Sequence, residues 1–142
     1  MSSFRLLPGL VCVCAILICL AGCTGGGDPK RYAVSGEVRW RGRPLDRGAI
    51  TFLPESPSLG TSGGAIIKDG RYDIPAQSGL LPGRYKVMVN SADPKGAPDP
   101  DAPPGPSGPL PKDRINAKYN AQTVLTAEVM AKNPNVFEFD VD

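Results

Sequence analysis

The chain has 142 residues, with 16 Lys plus Arg against 14 Asp plus Glu and no histidine. Near-balanced charge without a basic stripe excludes nucleic acid from the expected partners. The missing histidine removes the commonest general base and the commonest transition-metal ligand together.

Residues 1–22 read as a targeting segment rather than part of a fold. Arg5 carries its positive charge, and Pro8-Gly9 break the chain before the apolar run Leu10 to Leu20, 11 residues long. That length suits a signal-peptide core and falls short of the roughly 20 residues of a membrane-spanning helix. Ala21 and Gly22 are small enough for a protease to grip an extended backbone and cut before Cys23. Removing 22 of the 142 residues leaves 120, enough for one small domain. Cys12, Cys14 and Cys19 depart with the segment, so Cys23 is the one cysteine kept and no intramolecular disulfide is available.

Leu20-Ala21-Gly22-Cys23, placed behind this apolar run, resembles the bacterial lipobox. The resemblance implies a diacylglycerol in thioether linkage to the Cys23 sulfur and a palmitate-type acyl group on its amine. One chain gives marginal membrane binding at about 0.8 kcal/mol per buried methylene, whereas two or more hold firmly. The membrane is therefore an expected partner through the anchor. Thr24 stands where an Asp would favour retention at the inner membrane, so the resemblance favours the outer membrane and leaves the face open. An ordinary secretory signal with a spare Cys23 thiol, or a spanning anchor, are the alternatives.

Residues 23–31 form a short tether with Gly25-Gly26-Gly27 at its centre. Tyr32 to Trp40 then alternates, with Tyr32, Val34, Gly36, Val38 and Trp40 on one side, which predicts a half-buried strand. Gly36 in its middle suggests a bulge or the close approach of another backbone. Arg41-Gly42 turns the chain, and Ala49 to Leu53 is a second strand with Ile50 and Phe52 inward. After a loop over Pro54 to Gly63, Gly64 to Lys68 and Arg71 to Ile74 flank Asp69-Gly70, a pair that favours a type I′ hairpin. Gly83 to Asn90 alternates most strongly, with Tyr85, Val87 and Val89 on one face. Residues 92–113 hold eight prolines and three glycines, a composition that forbids helix and inner strand because each proline lacks an N–H. Arg114 to Gln122 is irregular, with Ile115 and Tyr119 plugging the core. Thr123 to Met130 and Val136 to Val141 complete the strands, Phe137, Phe139 and Val141 sharing a face. The pattern predicts an all-β domain over 32–142, seven short antiparallel strands in a β-sandwich, with a Pro-rich insert at 92–113.

The order Val34-Ser35-Gly36-Glu37-Val38, Gly42-Arg43-Pro44-Leu45, Gly48-Ala49-Ile50-Thr51-Phe52, Asp69-Gly70-Arg71-Tyr72 and Leu81-Pro82-Gly83-Arg84-Tyr85 resembles the carboxypeptidase-regulatory-like domain, a transthyretin-like (prealbumin-like) seven-strand sandwich. Ile115 to Asn120, Leu125-Thr126 and Phe137 to Asp140 resemble small bacterial lipoproteins that carry it. The resemblance implies an accessory or structural extracytoplasmic module without activity of its own. In the turn Leu81 to Tyr85, Pro82 presets φ, Gly83 permits the turn, and Tyr85 buries its ring while its hydroxyl finds a backbone partner.

Enzymatic relatives of this sandwich use histidine, and the chain has none. Glu37 with Asp73 or Glu138 is the remaining acid–base pairing, and alternation places all three on the solvent face. Asp93, Asp99, Asp101 and Asp113 match no calcium-loop spacing. Trp40, beside Arg39, Arg41 and Arg43, either caps the core or offers a stacking platform for sugar, which makes Trp40 and Arg41 the candidate ligand surface. The expectation is thus a lipid-anchored envelope protein, modified at Cys23, with no catalytic residue, cofactor or metal. It serves as a structural or protein-interaction module for an envelope protein. Binding of a surface glycan is the alternative, and a carboxylate enzyme comes third.

Overall fold

A computed structural model describes residues 29–60, 62–93, 95 and 111–142. The signal segment, Cys23 and most of the Pro-rich insert lie outside the described residues. Eight strands are formed: β1 (Val34–Trp40), β2 (Arg43–Pro44), β3 (Arg47–Pro54), β4 (Gly63–Lys68), β5 (Arg71–Ile74), β6 (Gly83–Asn90), β7 (Thr126–Val129) and β8 (Asn135–Val141). The described residues contain no α-helix, only single 3₁₀ turns at Pro57–Leu59, Ala76–Ser78 and Ala117–Tyr119. None is long and apolar enough to cross a membrane.

Seven strands follow an antiparallel path, β2-β1-β5-β4-β3-β6-β7, and β8 joins β1. Two features correct the expected seven antiparallel strands. β8 runs parallel to β1 along all seven of its residues, because alternation marks a strand but carries no information about its direction. β2 is an additional strand, two residues long and exposed, too short for any period to register.

β8 occupies one edge of β1, so β5 and β2 share the other, pairing Val34 to Glu37 and Arg39-Trp40 respectively. The two turns that steer this arrangement are left-handed at both central positions. Asp69 and Gly70 have φ of 50° and 81°, and Arg41 and Gly42 have φ of 51° and 75°, the type I′ geometry that matches strand twist. Past the Asp69-Gly70 turn the strands pair only at Lys68 and Arg71. β4 then continues along β3, and β5 along β1. The curled sheet splits there.

Between the diverging strands lies the core. The Phe52 ring of β3 sits 6.1 Å from Tyr72 of β5, 6.5 Å from Tyr85 of β6 and 6.4 Å from Phe137 of β8. Ile50, Phe52, Tyr85, Val87 and Val89 are buried as their alternation requires, and each apolar side chain removed from water stabilises by about 1.5–3 kcal/mol. Ile115 is buried and Tyr119 packs against the cluster. The Tyr85 hydroxyl donates to the Leu81 carbonyl at 2.9 Å, the backbone partner its turn called for. Burial raises the pKa of the Tyr85 phenol.

Candidate functional site

Two concave regions carry the surface chemistry. The first lies at the split. It is a shallow cleft of about 690 Å³ lined by Ser35, Glu37, Ile66, Arg71, Asp73, Val136 and Glu138 among others. Ile66 and Val136 are 61% and 55% exposed. Past Lys68 and Arg71, the edges of β4 and β5 that face each other have no ladder partner among the described residues. Unpaired edges of this kind accept an added strand.

The carboxylates singled out from the sequence meet in this cleft. Glu37 lies beside Glu138 in the β1–β8 register and opposite Arg71 in the β1–β5 register. Its oxygens contact Arg71 at 3.6 Å and Arg39 at 3.5 Å, so guanidinium groups share its charge. Asp73 stands across from Ser35. No three His, Cys, Asp or Glu side chains among the described residues gather closely enough to hold a metal ion.

The second region is the end of β1. Trp40 is half-buried and packs against the core. The guanidinium carbons of Arg41 and Arg114 lie 4.9 and 4.8 Å from its ring centre, within cation–π reach. These three, with Arg43, Pro44 and Asp46, line a cleft of about 480 Å³. Arg114 donates to the Asp46 carboxylate, the Ser91 hydroxyl and the Arg47 carbonyl. The bond from Arg114 holds the Asp46 carboxyl below its ordinary value of 3.8. Trp40 Nε1 is buried with no acceptor in reach.

Trp40 and Arg41 line one cleft, with the ring covered by arginine rather than bare. Arg114 was missed: it lies 74 positions beyond Trp40, and no local pattern links the two. Val136 was legible by parity, because Phe137 facing inward sends its neighbour out. Cys23 lies outside the described residues. Of the candidate calcium carboxylates, Asp99 and Asp101 also lie outside. Asp113 accepts from the backbone N–H of Ser91 and Ile115 at 3.0 and 2.8 Å and from Asn90 Nδ2 at 2.8 Å, a neck that fastens the ends of the insert.

No protein-family model, curated protein or solved structure matches the chain.

Proposed function

We propose that the chain is a lipid-anchored cell-envelope protein without catalytic activity, whose β domain is a transthyretin-like sandwich of the carboxypeptidase-regulatory type that docks another envelope protein. Support for the sandwich comes from the split at Lys68 and Arg71, past which β4 follows β3 and β5 follows β1, with the Phe52 ring of β3 packed on Tyr72 of β5. The Tyr85 to Leu81 bond resembles the tyrosine corner of sandwich folds. Support for the anchor is the pattern Leu20-Ala21-Gly22-Cys23.

The observation that carries the docking role is the cleft at the split, where exposed Ile66 and Val136 line one concavity beside the unpaired edges of β4 and β5. An extended segment of a partner can add there as a strand, with main-chain bonds for affinity and the two aliphatic side chains for register. A photo-crosslinking residue in place of Ile66 tests this in intact envelopes, with the same residue at Glu128 on β7 as control. One discrete protein adduct at 66, absent at 128 and abolished by Val136→Asp, supports the reading. No adduct, or equal labelling at both positions, overturns it. The intact mass of the native protein tests the anchor: added lipid on Cys23 is expected, and Cys23→Ser is expected to release the chain from the membrane.

A further inference from the structure

The end of β1 gathers Arg41, Arg43 and Arg114 around Trp40. Arg41 and Arg43 have no carboxylate within 4 Å among the described residues, and Arg114 already holds Asp46. Asp46 is the one carboxylate among the described residues that line the cleft. Trp40 adds a buried N–H donor with no acceptor, which costs free energy while it stays unmade.

Backbone strain points to the same place. Arg41 is the first central residue of its turn at φ 51°, a position that Gly, Asn or Asp fill readily and that other residues adopt only at a cost. The outcome is a guanidinium turned back over Trp40. Strain of this kind is found at ligand clamps as well as in tight turns.

We propose that the Trp40 cleft binds the oxyanion groups of an acidic glycan, either uronate carboxylates or glycan phosphodiesters, with Arg41 and Arg43 as the clamp. Arg41 and Arg43 present forked N–H donors that match a carboxylate or phosphate. Sugar stacking does not drive the contact, because the arginines cover the indole.

Membrane headgroups offer the same oxyanions, and geometry disfavours them. The chain enters the domain at Tyr32, bridged to Leu80, just before β1 begins. Trp40 closes β1 about 20 Å further on, at about 3.3 Å per residue. The cleft therefore sits at the end of β1 opposite the chain's entry at Tyr32. This choice among anionic surfaces rests on the anchoring proposed above; the anion site itself does not.

Trp40 is the single tryptophan of the chain, so its emission reports on the cleft directly. The full chain, purified in detergent, is titrated with polygalacturonate, with a phosphodiester-linked glycan and with neutral dextran at constant ionic strength. A saturable change with either acidic polymer and none with dextran is expected. The double variant Arg41→Gln, Arg43→Gln should weaken that binding at least tenfold with an unchanged far-UV spectrum. If the double variant misfolds, Arg43→Gln alone, an exposed side chain outside the turn, should weaken binding several-fold. No saturable change, an equal response to dextran, or full binding by a folded arginine variant overturns the proposal. The protein is also placed in zwitterionic vesicles with and without phosphatidylglycerol. Equal emission in the two supports the polar placement, and a shift confined to the anionic vesicles overturns the glycan in favour of lipid. Failure of the anchor appears separately, as a protein that does not associate with either vesicle.

Discussion

Tyr72 on β5 donates its hydroxyl hydrogen to the carbonyl of Phe137 on β8 at 3.1 Å, although β1 runs between the two strands. Gly36 is the residue in register with both, and its missing side chain lets the phenol cross. A Cβ there would lie 1.8 Å from the Phe137 carbonyl oxygen and 2.9 Å from the Tyr72 hydroxyl. Three strands are thus closed over one glycine, beneath the cleft at the split.

Gly36→Ala should therefore cost about 3 kcal/mol or more, beyond ordinary overpacking, since backbone rather than a side-chain tip must move. Tyr72→Phe keeps the ring and removes one bond, at about 1 kcal/mol. Urea denaturation checks both, and a Gly36→Ala variant as stable as the parent would refute the crossing. Burial pushes the Tyr72 phenol well above its ordinary value, so its near-ultraviolet absorbance is expected to titrate only when the protein unfolds in alkali.

Tyr85 makes a second test. Its side chain is fully buried and its hydroxyl reaches Leu81 four residues back. Tyr85→Phe leaves the ring among Phe52 and its neighbours and deprives the Leu81 carbonyl of its donor. A loss of about 1–3 kcal/mol is expected, read as a lower urea midpoint with an unchanged slope.

Asp113 fastens the neck of the insert through three accepted bonds, two of them from backbone N–H groups. The bridge between Ala92 and Asp113 lies beside it. Asp113→Ala strands both N–H donors and should cost about 2 kcal/mol. Asp113→Asn keeps one acceptor oxygen and should lose roughly half as much. Equal stability of all three proteins would show that the insert needs no such clasp.

These residues also show what could be read in advance. Asp69-Gly70 announces a turn whose two positive φ values only that kind of pair takes easily, and the structure has them there. Alternation at Tyr85, Val87 and Val89 located the most buried strand, and Gly36 signalled the backbone approach that Phe137 makes. Arg41 broke the rule at its own turn, since nothing in its type favours φ 51°. Strand direction was hidden because parallel and antiparallel edges bury the same alternate side chains, which is why β8 was misread. The Trp40 cleft was half visible: its aromatic and its neighbouring arginines are contiguous, whereas Arg114 and Asp46 reach it through the fold from either side of four intervening strands.

The Arg114–Asp46 contact makes the Trp40 cleft sensitive to acid. The bond from Arg114 lowers the Asp46 pKa below 3.8, so the ionised carboxyl is favoured in the folded protein. A depressed acid contributes its stability fully above the unfolded value and loses it as pH falls through the folded value. The Asp46 side chain is 65% exposed, and solvent screening keeps that contribution to stability small. Position responds more than stability does. Arg114 lies 4.8 Å from the Trp40 ring centre, and protonating Asp46 leaves its guanidinium held by the Ser91 hydroxyl and the Arg47 carbonyl alone, so that it shifts over the ring. Trp40 emission should hold steady from neutral pH to about pH 4 and change below it, ahead of unfolding. Asp46→Asn should show the acid-side emission already at neutral pH and have no transition of its own. A transition of the same size and position in Asp46→Asn would assign the signal to another carboxylate and detach Arg114 from the control of the cleft.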